Sequence, residues 1–266
     1  MERIDEDQAL PWTVATLAAD LAALGVRPGS TLVVHSSLSS IGYVTGGAHA
    51  VVLALVDALG PDATLVVPTH SGELSDPGRW QHPPVPEAWW ATIRTSMPAF
   101  DPDLTGTRAM GAVPDTVRHL PGAVRSAHPA YSFSAVGPNA DAVTAGHRLA
   151  DGFGETSPLA RLYDLDADIL LLGVGHDCDT SLHLAEHRSG TCGTTRQGAP
   201  VLIDGVRHWV EYDELEFDTG DFVEVGAAAA AAGLERTGAV GAATARLLSQ
   251  PALVDFASAW FAEHRG

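Results

Sequence analysis

Two histidines and a glutamate lie close together in the sequence, at spacings that suit acid–base chemistry. His183 is followed by Glu186 and His187, so the three side chains share one face of a predicted helix. If Asp179 or Thr180 caps this helix, His183 lies in its first turn, where the positive helix end disfavours the imidazolium. A neutral ring held there can accept a proton from an attacking nucleophile.

Two other roles for these histidines stay open on the residues alone. The run His-Leu-Ala-Glu-His fits the zinc-protease pattern H-x-x-E-H, in which His183 and His187 would be ligands. A zinc site needs a third protein ligand, typically a distant Glu, and a five-letter pattern arises easily by chance. His176, Asp177 and Asp179 could extend such a cluster. A histidine that only packs in the core is the third alternative.

A serine-rich segment follows the first predicted strand and precedes an apolar helix. Its residues are His35, Ser36, Ser37, Leu38, Ser39, Ser40, Ile41 and Gly42. Serines and glycines let backbone N–H groups crowd around an anion, and the amino end of the following helix adds a favourable dipole. The segment has no Gly-x-Gly-x-x-Gly and no Walker lysine, so neither a dinucleotide nor a nucleoside triphosphate is indicated. An ordinary turn with serine caps is the alternative.

Carboxylates are concentrated in residues 211–221, where Glu214 and Glu216 lie two residues apart. In an extended segment these two side chains share a face, and a pair of carboxylates suits a polyamine. Glu73 and Asp76 could likewise line a site for a cation, or simply cap a turn. A solvated acidic loop is the alternative for residues 211–221.

Charge and composition exclude several classes of protein. The net charge of −18, from 33 acidic and 15 basic residues, argues against a nucleic-acid-binding protein. An acidic cleft would concentrate a cationic small molecule. No apolar run approaches the ~20 residues of a membrane span, and the polar start over residues 1–8 is unlike a secretory signal. We therefore expect a cytoplasmic protein in which Cys178 and Cys192 are reduced thiols.

Three short hydrophobic runs, over residues 31–35, 63–68 and 168–175, are typical of buried parallel strands. An apolar helix over residues 46–60 ends at a glycine and joins the first two runs into a βαβ unit. No repeat or clear linker interrupts the sequence. It therefore predicts a single α/β domain over residues 1–266, layered α/β/α, with a central mixed and largely parallel sheet.

The remaining segments follow from the same periodicities. Besides the helix that carries His183, helices are expected over residues 13–24, 107–120, 138–145, 157–165, 221–232, 238–248 and 251–264. Residues 201–210 are typical of a hairpin with Asp204 and Gly205 at the turn. Residues 71–107 are rich in Pro and Trp, and so long a stretch without regular structure is usually functional. We interpret them as a substrate loop.

Eight ordered motifs, spread over nearly the whole chain, resemble those of the aminoglycoside 3-N-acetyltransferases, antibiotic acetyltransferases distinct from the GNAT fold. They are His35-Ser-Ser-Leu-Ser-Ser-Ile-Gly42, Pro68-Thr-His-Ser-Gly72, Met97-Pro-Ala-Phe-Asp-Pro102, Thr107-Arg-Ala-Met-Gly111, Arg125-Ser-Ala-His-Pro129, Ser157-Pro-Leu-Ala-Arg161, Leu171-Leu-Gly-Val-Gly175 and Leu182-His-Leu-Ala-Glu186.

The resemblance implies transfer of an acetyl group from acetyl-coenzyme A to the 3-amino group of a 2-deoxystreptamine aminoglycoside, which confers antibiotic resistance. It implies that His183 is the general base for direct attack of the amine on the thioester. Glu186, Asp177 and Glu214 are the carboxylates that could orient the ring, and we expect Glu186 to share the catalytic role.

The same resemblance distributes the binding residues. The serine-rich segment from His35 to Gly42 would cradle the coenzyme pantetheine and pyrophosphate, and Arg125 and His128 would belong to the same wall. Glu214 and Glu216 match the aminoglycoside-facing carboxylates. Glu73 and Asp76 are weaker candidates for that role, because the loop that carries them varies in length across such enzymes.

Three alternatives are compatible with the sequence. They are a zinc-dependent hydrolase built on His183 and His187, a same-fold acetyltransferase acting on a different amine, and a protein that only sequesters the drug or the coenzyme. We expect no bound metal, no nucleic-acid partner and no membrane association. The sequence specifies neither the oligomeric state nor which aminoglycosides are accepted.

Overall fold

Strands and helices alternate over much of the computed structural model, which describes residues 10–81 and 83–265. The strands are β1 (Thr31–Ser36), β2 (Thr64–Pro68), β3 (Val124–Arg125), β4 (Phe133–Val136), β5 (Asp168–Leu172), β6 (Thr194–Ile203), β7 (Val206–Leu215), β8 (Glu235–Val240) and β9 (Ala243–Ser249). The helices are α1 (Val14–Leu24), α2 (Gly47–Leu59), α3 (Glu87–Ser96), α4 (Ala112–Val117), α5 (Ala140–Thr144), α6 (Pro158–Asp164), α7 (Ser181–Ser189), α8 (Phe222–Ala231) and α9 (Gln250–His264).

Seven strands form one mixed sheet in the spatial order β3, β4, β2, β1, β5, β9, β8. The three central strands, β2, β1 and β5, are parallel, and each outer neighbour is antiparallel. The predicted layered α/β fold with a mixed sheet is confirmed. Its parallel part is confined to the three strands that the hydrophobic runs predicted.

Helices cover both faces of this sheet. Leu32 and Val34 pack in the core beneath α1, α2 and α4, whereas Val33 packs on the opposite face with residues of α5 to α9. Successive side chains of a strand point to opposite faces, so a strand buried on both faces is hydrophobic throughout. This explains why these strands were visible in the sequence as unbroken apolar runs.

The helix predicted over residues 238–248 is wrong. Those residues belong to β8 and β9, which pair antiparallel around a turn at Gly241, where φ is +61°. Ala243, Ala245 and Leu247 alternate into the core, a period of two that the alanine content obscured. Pairing of β9 with β5 decides the conformation against the intrinsic helix preference of alanine.

Residues 71–107 are less irregular than predicted, because they contain α3. This helix buries none of its residues, so the sequence carries no apolar periodicity to reveal it. Polar contacts fix it instead: Arg94 forms an ion pair with Asp76, and Arg207 of β7 donates to the carbonyls of Arg94 and Met97. The role of this segment as a substrate loop stays a prediction.

The predicted hairpin is present and longer than expected. β6 and β7 pair outside the main sheet, with Asp204 and Gly205 at the turn in the left-handed conformation that a tight hairpin requires. In the described part of the chain, no helix has both the length and the apolarity that crossing a bilayer requires. The acidic start over residues 1–8 lies outside the described residues, and the cytoplasmic location stays a prediction.

Gly173 allows the end of β5 to approach the serine-rich turn. Its φ is +71°, and a Cβ at this position would lie 2.6 Å from the Cβ of Ser40. The Ser40 hydroxyl donates to the Gly173 carbonyl at 3.1 Å. A side chain here would therefore separate two segments that border the same edge of the sheet.

We predict that Gly173→Ala lowers the free energy of unfolding by roughly 2–4 kcal/mol, from left-handed backbone strain plus a close contact. Gly29→Ala is the matched control, since Gly29 has a φ of +79° but nothing within 4 Å of the added Cβ. It should cost only the strain, about 1–2 kcal/mol. Chemical denaturation compares the two variants, and equal losses would show that the close approach does not matter.

Candidate active site

Three loops meet at the carboxyl edge of the parallel strands. The chain leaves β1 at Ser36 into the serine-rich turn, β2 at Pro68 towards His70, and β5 at Leu172 towards α7. In open α/β sheets this is the edge at which ligands bind. The fold thus brings His183 and the serine-rich turn to one end of the molecule.

His183 lies in the first turn of α7, where the sequence predicted it. Its N–H donates to the carbonyl of Thr180, the residue that precedes the helix, at 3.1 Å. The Thr180 side chain makes no capping hydrogen bond. The buried carboxylate of Asp179 instead accepts the N–H of Ser181 at 3.0 Å, and so fixes the start of the helix.

His183 and Glu186 form a hydrogen-bonded pair, which we call the dyad. Nδ1 of His183 lies 2.6 Å from Oε2 of Glu186, and the carboxylate is fully buried. A ring that donates Nδ1–H to a carboxylate keeps Nε2 as its proton acceptor. Among the described residues, the His183 side chain is hydrogen bonded through Nδ1 alone, which leaves Nε2 without a partner there. Of the three carboxylates considered as partners of this ring, Glu186 is the one in contact.

Three phenylalanines enclose the His183 ring. Phe153 stacks on it with centroids 4.6 Å apart and planes 9° from parallel, while Phe217 and Phe222 lie 4.8 and 5.0 Å away. These side chains fix the plane of the imidazole and restrict water around it. No sequence pattern indicated these three residues, because single aromatic residues far apart in the chain carry no signal of a shared contact.

The second oxygen of Glu186 is also occupied. Oε1 accepts the N–H of Asp218 at 2.9 Å and a guanidinium N–H of Arg265 at 2.6 Å. The sequence contained no signal for either contact, since both partners lie more than 30 residues beyond Glu186. A buried carboxylate that receives charged and neutral donors on both oxygens is held in one orientation.

Two further histidines adjoin the dyad. His35 is buried at the end of β1, with Nε2 3.4 Å from the Thr180 hydroxyl. Burial lowers the pKa of His35, and the nearby His183 lowers it further, although Asp179 opposes both. His70 contacts Phe153 with ring centroids 5.3 Å apart. Burial, followed by the charge of His183, holds the pKa of His70 well below its ordinary value.

The predicted coenzyme loop contains a short 3₁₀ turn. The N–H groups of Ser37, Ser40 and Ile41 donate to backbone carbonyls, whereas those of Leu38 and Ser39, at its amino end, have no acceptor among the described residues. The Ile41 side chain is fully buried in the core, so only its backbone can face a ligand. The turn therefore offers backbone donors at the edge of the sheet.

Arg125 is engaged within the protein. Its guanidinium donates to the carbonyls of Thr69, Pro102 and Thr105 and to the hydroxyls of Ser71 and Ser132. Burial lowers its pKa to about 10. Arg125 thereby fastens the segment around residues 100–105 to the end of β2, and its place in the coenzyme wall stays a prediction.

His128 is fully buried and uses both ring nitrogens. Nδ1 accepts the N–H groups of Ala130 and Tyr131, and Nε2 lies 3.1 Å from the Leu149 carbonyl, to which it donates. Burial, with a smaller effect of His147, lowers its pKa to about 3, so the ring is neutral. In this arrangement His128 shapes a loop, and direct contact with a coenzyme stays a prediction.

The two alternating carboxylates have different surroundings. Glu214 is buried and accepts the N–H groups of Gly152 and Leu215 at 3.2 and 3.1 Å, whereas Glu216 is exposed beyond the end of β7. Burial raises the pKa of Glu214 to about 7, against the effect of these hydrogen bonds. The two carboxylates thus differ in burial and in pKa, and their contact with an aminoglycoside stays a prediction.

Glu73 and Asp76 also differ. Asp76 is paired with Arg94 through two hydrogen bonds of 3.0 and 2.7 Å, and it accepts the N–H of Gly78. Arg94 thus neutralises the charge of Asp76, and Asp76 caps the turn through the N–H of Gly78. Glu73 keeps one buried oxygen without a hydrogen-bond partner in the part of the chain that the structure describes. Glu73 is the freer of the two to bind a cation.

His187 contacts a carboxylate outside the dyad. Its Nε2 lies 3.4 Å from Oδ1 of Asp151, so the two histidines of the His-Leu-Ala-Glu-His run contact different carboxylates. Within residues 10–81 and 83–265, no group of three or more His, Cys, Asp or Glu side chains is arranged to hold a metal ion. His176, proposed as a further ligand, instead hydrogen bonds to Glu235 at 2.8 Å.

A family model described as aminoglycoside 3-N-acetyltransferase matches residues 33–262. The layered fold and this match define an antibiotic N-acetyltransferase, and the chain belongs to the aminoglycoside 3-N-acetyltransferase family. The resemblance drawn from the eight motifs is thereby confirmed. Membership of this family favours an acetyltransferase over the alternative hypothesis of a zinc-dependent hydrolase built on His183 and His187.

Two relatives illustrate the extent of the similarity. The SPbeta prophage-derived aminoglycoside N(3')-acetyltransferase-like protein YokD of Bacillus subtilis (strain 168) is 46% identical over 262 residues, which cover 98% of this chain and 96% of that protein. Its crystal structure matches with a TM-score of 0.95 at 45% identity, over 97% of this chain and 96% of that one. Aminoglycoside N(3)-acetyltransferase VII of Streptomyces paromomycinus is 36% identical over 272 residues, covering 96% and 93%.

Two similar structures contain ligands. AAC-IIIb, solved as a binary complex with CoASH, matches with a TM-score of 0.83 at 31% identity, over 94% of this chain and 96% of that one. AAC-VIa bound to sisomicin matches with a TM-score of 0.84 at 30% identity, over 95% and 98%. Nearly the whole length of the present chain thus corresponds to two proteins whose structures contain CoASH or sisomicin.

The raised pKa of Glu214 predicts a pH-dependent stability. Between the ordinary pKa of a glutamate and about 7, Glu214 is protonated in the folded protein but ionised in the unfolded chain. Its contribution to the free energy of unfolding is therefore full at acidic pH and is lost as the pH rises through 7. Relative to Glu214→Gln, the native protein should lose roughly 2 kcal/mol of stability between pH 5 and pH 8.

Urea denaturation across this pH range measures the difference. Glu216→Gln is the control, because it removes an exposed carboxylate from the same segment without changing the buried one. Parallel stability curves for the native protein and Glu214→Gln would contradict the assignment of a proton to Glu214.

Proposed function

We propose that this chain transfers the acetyl group of acetyl-coenzyme A to the 3-amino group of a 2-deoxystreptamine aminoglycoside, with His183 as general base. The observation that carries the proposal is the dyad: Nδ1 of His183 is bound to buried Glu186 at 2.6 Å, and Nε2 has no partner among the described residues. Family membership supplies the reaction class. The outcome in a bacterial cell would be resistance to the drug.

The proposed step is direct attack. The amine nitrogen attacks the thioester carbonyl carbon and loses a proton to Nε2 of His183, while Glu186 stabilises the imidazolium that forms. The negative charge that develops on the carbonyl oxygen needs N–H donors, for which the free N–H groups of Leu38 and Ser39 are the candidates. Collapse of the tetrahedral intermediate breaks the C–S bond and releases coenzyme A, whose thiolate takes up a proton.

We place the coenzyme along residues 35–42 and the uncapped amino end of α2. Backbone donors and the helix dipole suit its pyrophosphate, which must overcome the field of an acidic protein. The CoASH complex of AAC-IIIb supports this choice of co-substrate. Arg125 and His128 would shape the coenzyme site indirectly, by fixing the protein backbone that lines it. Their polar side-chain atoms are already hydrogen bonded to other residues of the protein.

The aminoglycoside would bind on the acidic side of the dyad. Glu214 and Glu216 are the proposed contacts, with Glu73 and the neutralised Asp76 as weaker ones, and the net charge of −18 would steer a polycation towards them. The sisomicin complex of AAC-VIa supports this class of substrate. The proposed reaction needs acetyl-coenzyme A. Because this co-substrate is found in the cytoplasm, we propose the cytoplasm as the location of the protein.

We predict that His183→Asn lowers kcat by at least about 10²-fold and leaves the affinity for acetyl-coenzyme A nearly unchanged, because the base acts on the amine. His187→Asn is the matched control on the same helix and should keep most of the activity, since His187 contacts Asp151. Thiol release from acetyl-coenzyme A, with and without an aminoglycoside, measures both variants. Normal turnover by His183→Asn would refute the base.

We predict that Glu214→Gln combined with Glu216→Gln raises KM for aminoglycosides about tenfold or more, with a smaller effect on kcat, because these groups act in binding. The double variant Glu211→Gln and Asp213→Asn removes two charges from the same strand, where they pair with Arg196.

This control should change KM little. Steady-state kinetics at saturating acetyl-coenzyme A separate the two results. Equal KM changes would mean that only the overall field matters, and no change in either variant would move the substrate site elsewhere. Thiol release with another amine, but with no aminoglycoside, would favour the alternative substrate class.

A further inference from the structure

Arg265 reaches the dyad from a distant part of the chain. It follows α9 and lies outside residues 33–262, which match the family model. Nη1 donates to Oε1 of Glu186 at 2.6 Å and contacts the thiol of Cys192 at 3.6 Å. The guanidinium carbon also lies 4.0 Å from the ring centroid of Phe261, on the same helix. Only about a tenth of the Arg265 side chain is exposed.

The same guanidinium binds the segment that follows β7. Nε donates to Asp221 at 2.7 Å, and Nη2 donates to the other oxygen of Asp221 and to the carbonyl of Asp218. The N–H of Asp218 in turn donates to Glu186. Arg265, Glu186 and the backbone of Asp218 therefore form a closed set of hydrogen bonds between α7, the acidic segment and the end of α9.

The charges around the dyad give this arrangement a chemical consequence. Glu186 faces Arg265 and the Cys192 thiol on one side and His183 on the other, and Asp221 balances part of the arginine charge. His35 after β1 and His70 after β2 face His183 from the sheet, and Asp179 lies behind His35. Arg265 carries the positive charge in this group. Its guanidinium therefore offsets part of the negative charge of Glu186 and weakens the electrostatic effect of that carboxylate on the imidazole.

We propose that Arg265 is a positioning residue of the dyad, which holds Oε2 of Glu186 against Nδ1 of His183 and shares the carboxylate charge. The proposal rests on the proposed function of His183 as base. An uncompensated carboxylate beside the ring would hold a proton on it more strongly, and a protonated ring cannot accept one from the amine. Arg265 keeps the neutral, accepting form available at lower pH.

Three variants test this role. Arg265→Met removes the charge but keeps an apolar stem against Phe261, and Arg265→Lys restores the charge without the two-pronged contact to Asp221. Arg188→Met is the matched control, since it removes a two-pronged pair with Glu155 from the same catalytic helix without touching Glu186. Denaturation identifies any general loss of folding common to Arg265→Met and the control.

Kinetics should separate positioning from folding. Arg265→Met should lower kcat about tenfold, leave KM for both substrates within about threefold, and move the acidic limb of the kcat/KM profile to higher pH by roughly half a unit or more. Arg265→Lys should restore most of the native position of the acidic limb of the kcat/KM profile. Arg188→Met should keep the native profile. A native profile in Arg265→Met, with only the stability loss seen in the control, would overturn the proposal.

A titration without turnover keeps the two proposals distinguishable. Imidazole NMR signals of His183, assigned by their loss in His183→Asn, should titrate at higher pH in Arg265→Met than in the native protein. Coincident titrations would overturn the role of Arg265 while leaving the base intact. Full turnover by His183→Asn would refute the base itself, whatever the titrations show.

Discussion

The burial of Glu186 is the constraint on which the candidate active site depends. A carboxylate without access to water is stable only when its oxygens are paired with donors, because desolvation of an unpaired charge costs several kcal/mol. His183 supplies one donor from the same helix, and Asp218 and Arg265 supply the others from segments that follow β7 and α9. The tertiary structure must therefore be complete before the dyad has its geometry. In return, the carboxylate and the ring have little freedom to move.

Parallel strands determine which segments lie near this dyad. The carboxyl ends of β1, β2 and β5 deliver the serine-rich turn, His70 and α7 to one edge, and Gly173 lets the turn approach β5 closely. Buried histidines there have depressed pKa values, as at His35 and His70, so the neighbourhood of His183 adds little positive charge at neutral pH. The region accordingly combines an accepting imidazole with backbone N–H donors, the two requirements of attack on a thioester.

Local patterns predicted the parts of this structure that depend on near neighbours. The apolar runs located the three parallel strands, and the three-residue spacing placed Glu186 among the three carboxylates considered as partners of His183. Prediction failed where distant partners decide the outcome. The segment that includes Ala243 and Ala245 pairs with β5 instead of forming a helix, and α3 is held by one ion pair and by hydrogen bonds from Arg207 instead of burial. No local rule connects Arg265 with a carboxylate 79 residues away. The family motifs compensated for this only where they cover the chain.

The contrast between Glu214 and Glu216 has a consequence for binding. A carboxyl whose pKa is raised to about 7 by burial is largely protonated in mildly acidic solution, and it adds little to the field that attracts a polycation. Glu216, exposed beyond β7, contributes to that field. In the proposed complex an ammonium group beside Glu214 would favour its ionised form, because an opposite charge stabilises the carboxylate. Binding would then release a proton from Glu214, and affinity would increase with pH until the substrate amines themselves lose their charge. In the proposed complex, long-range attraction and short-range recognition would thus belong to different carboxylates, although only one residue separates them in the sequence.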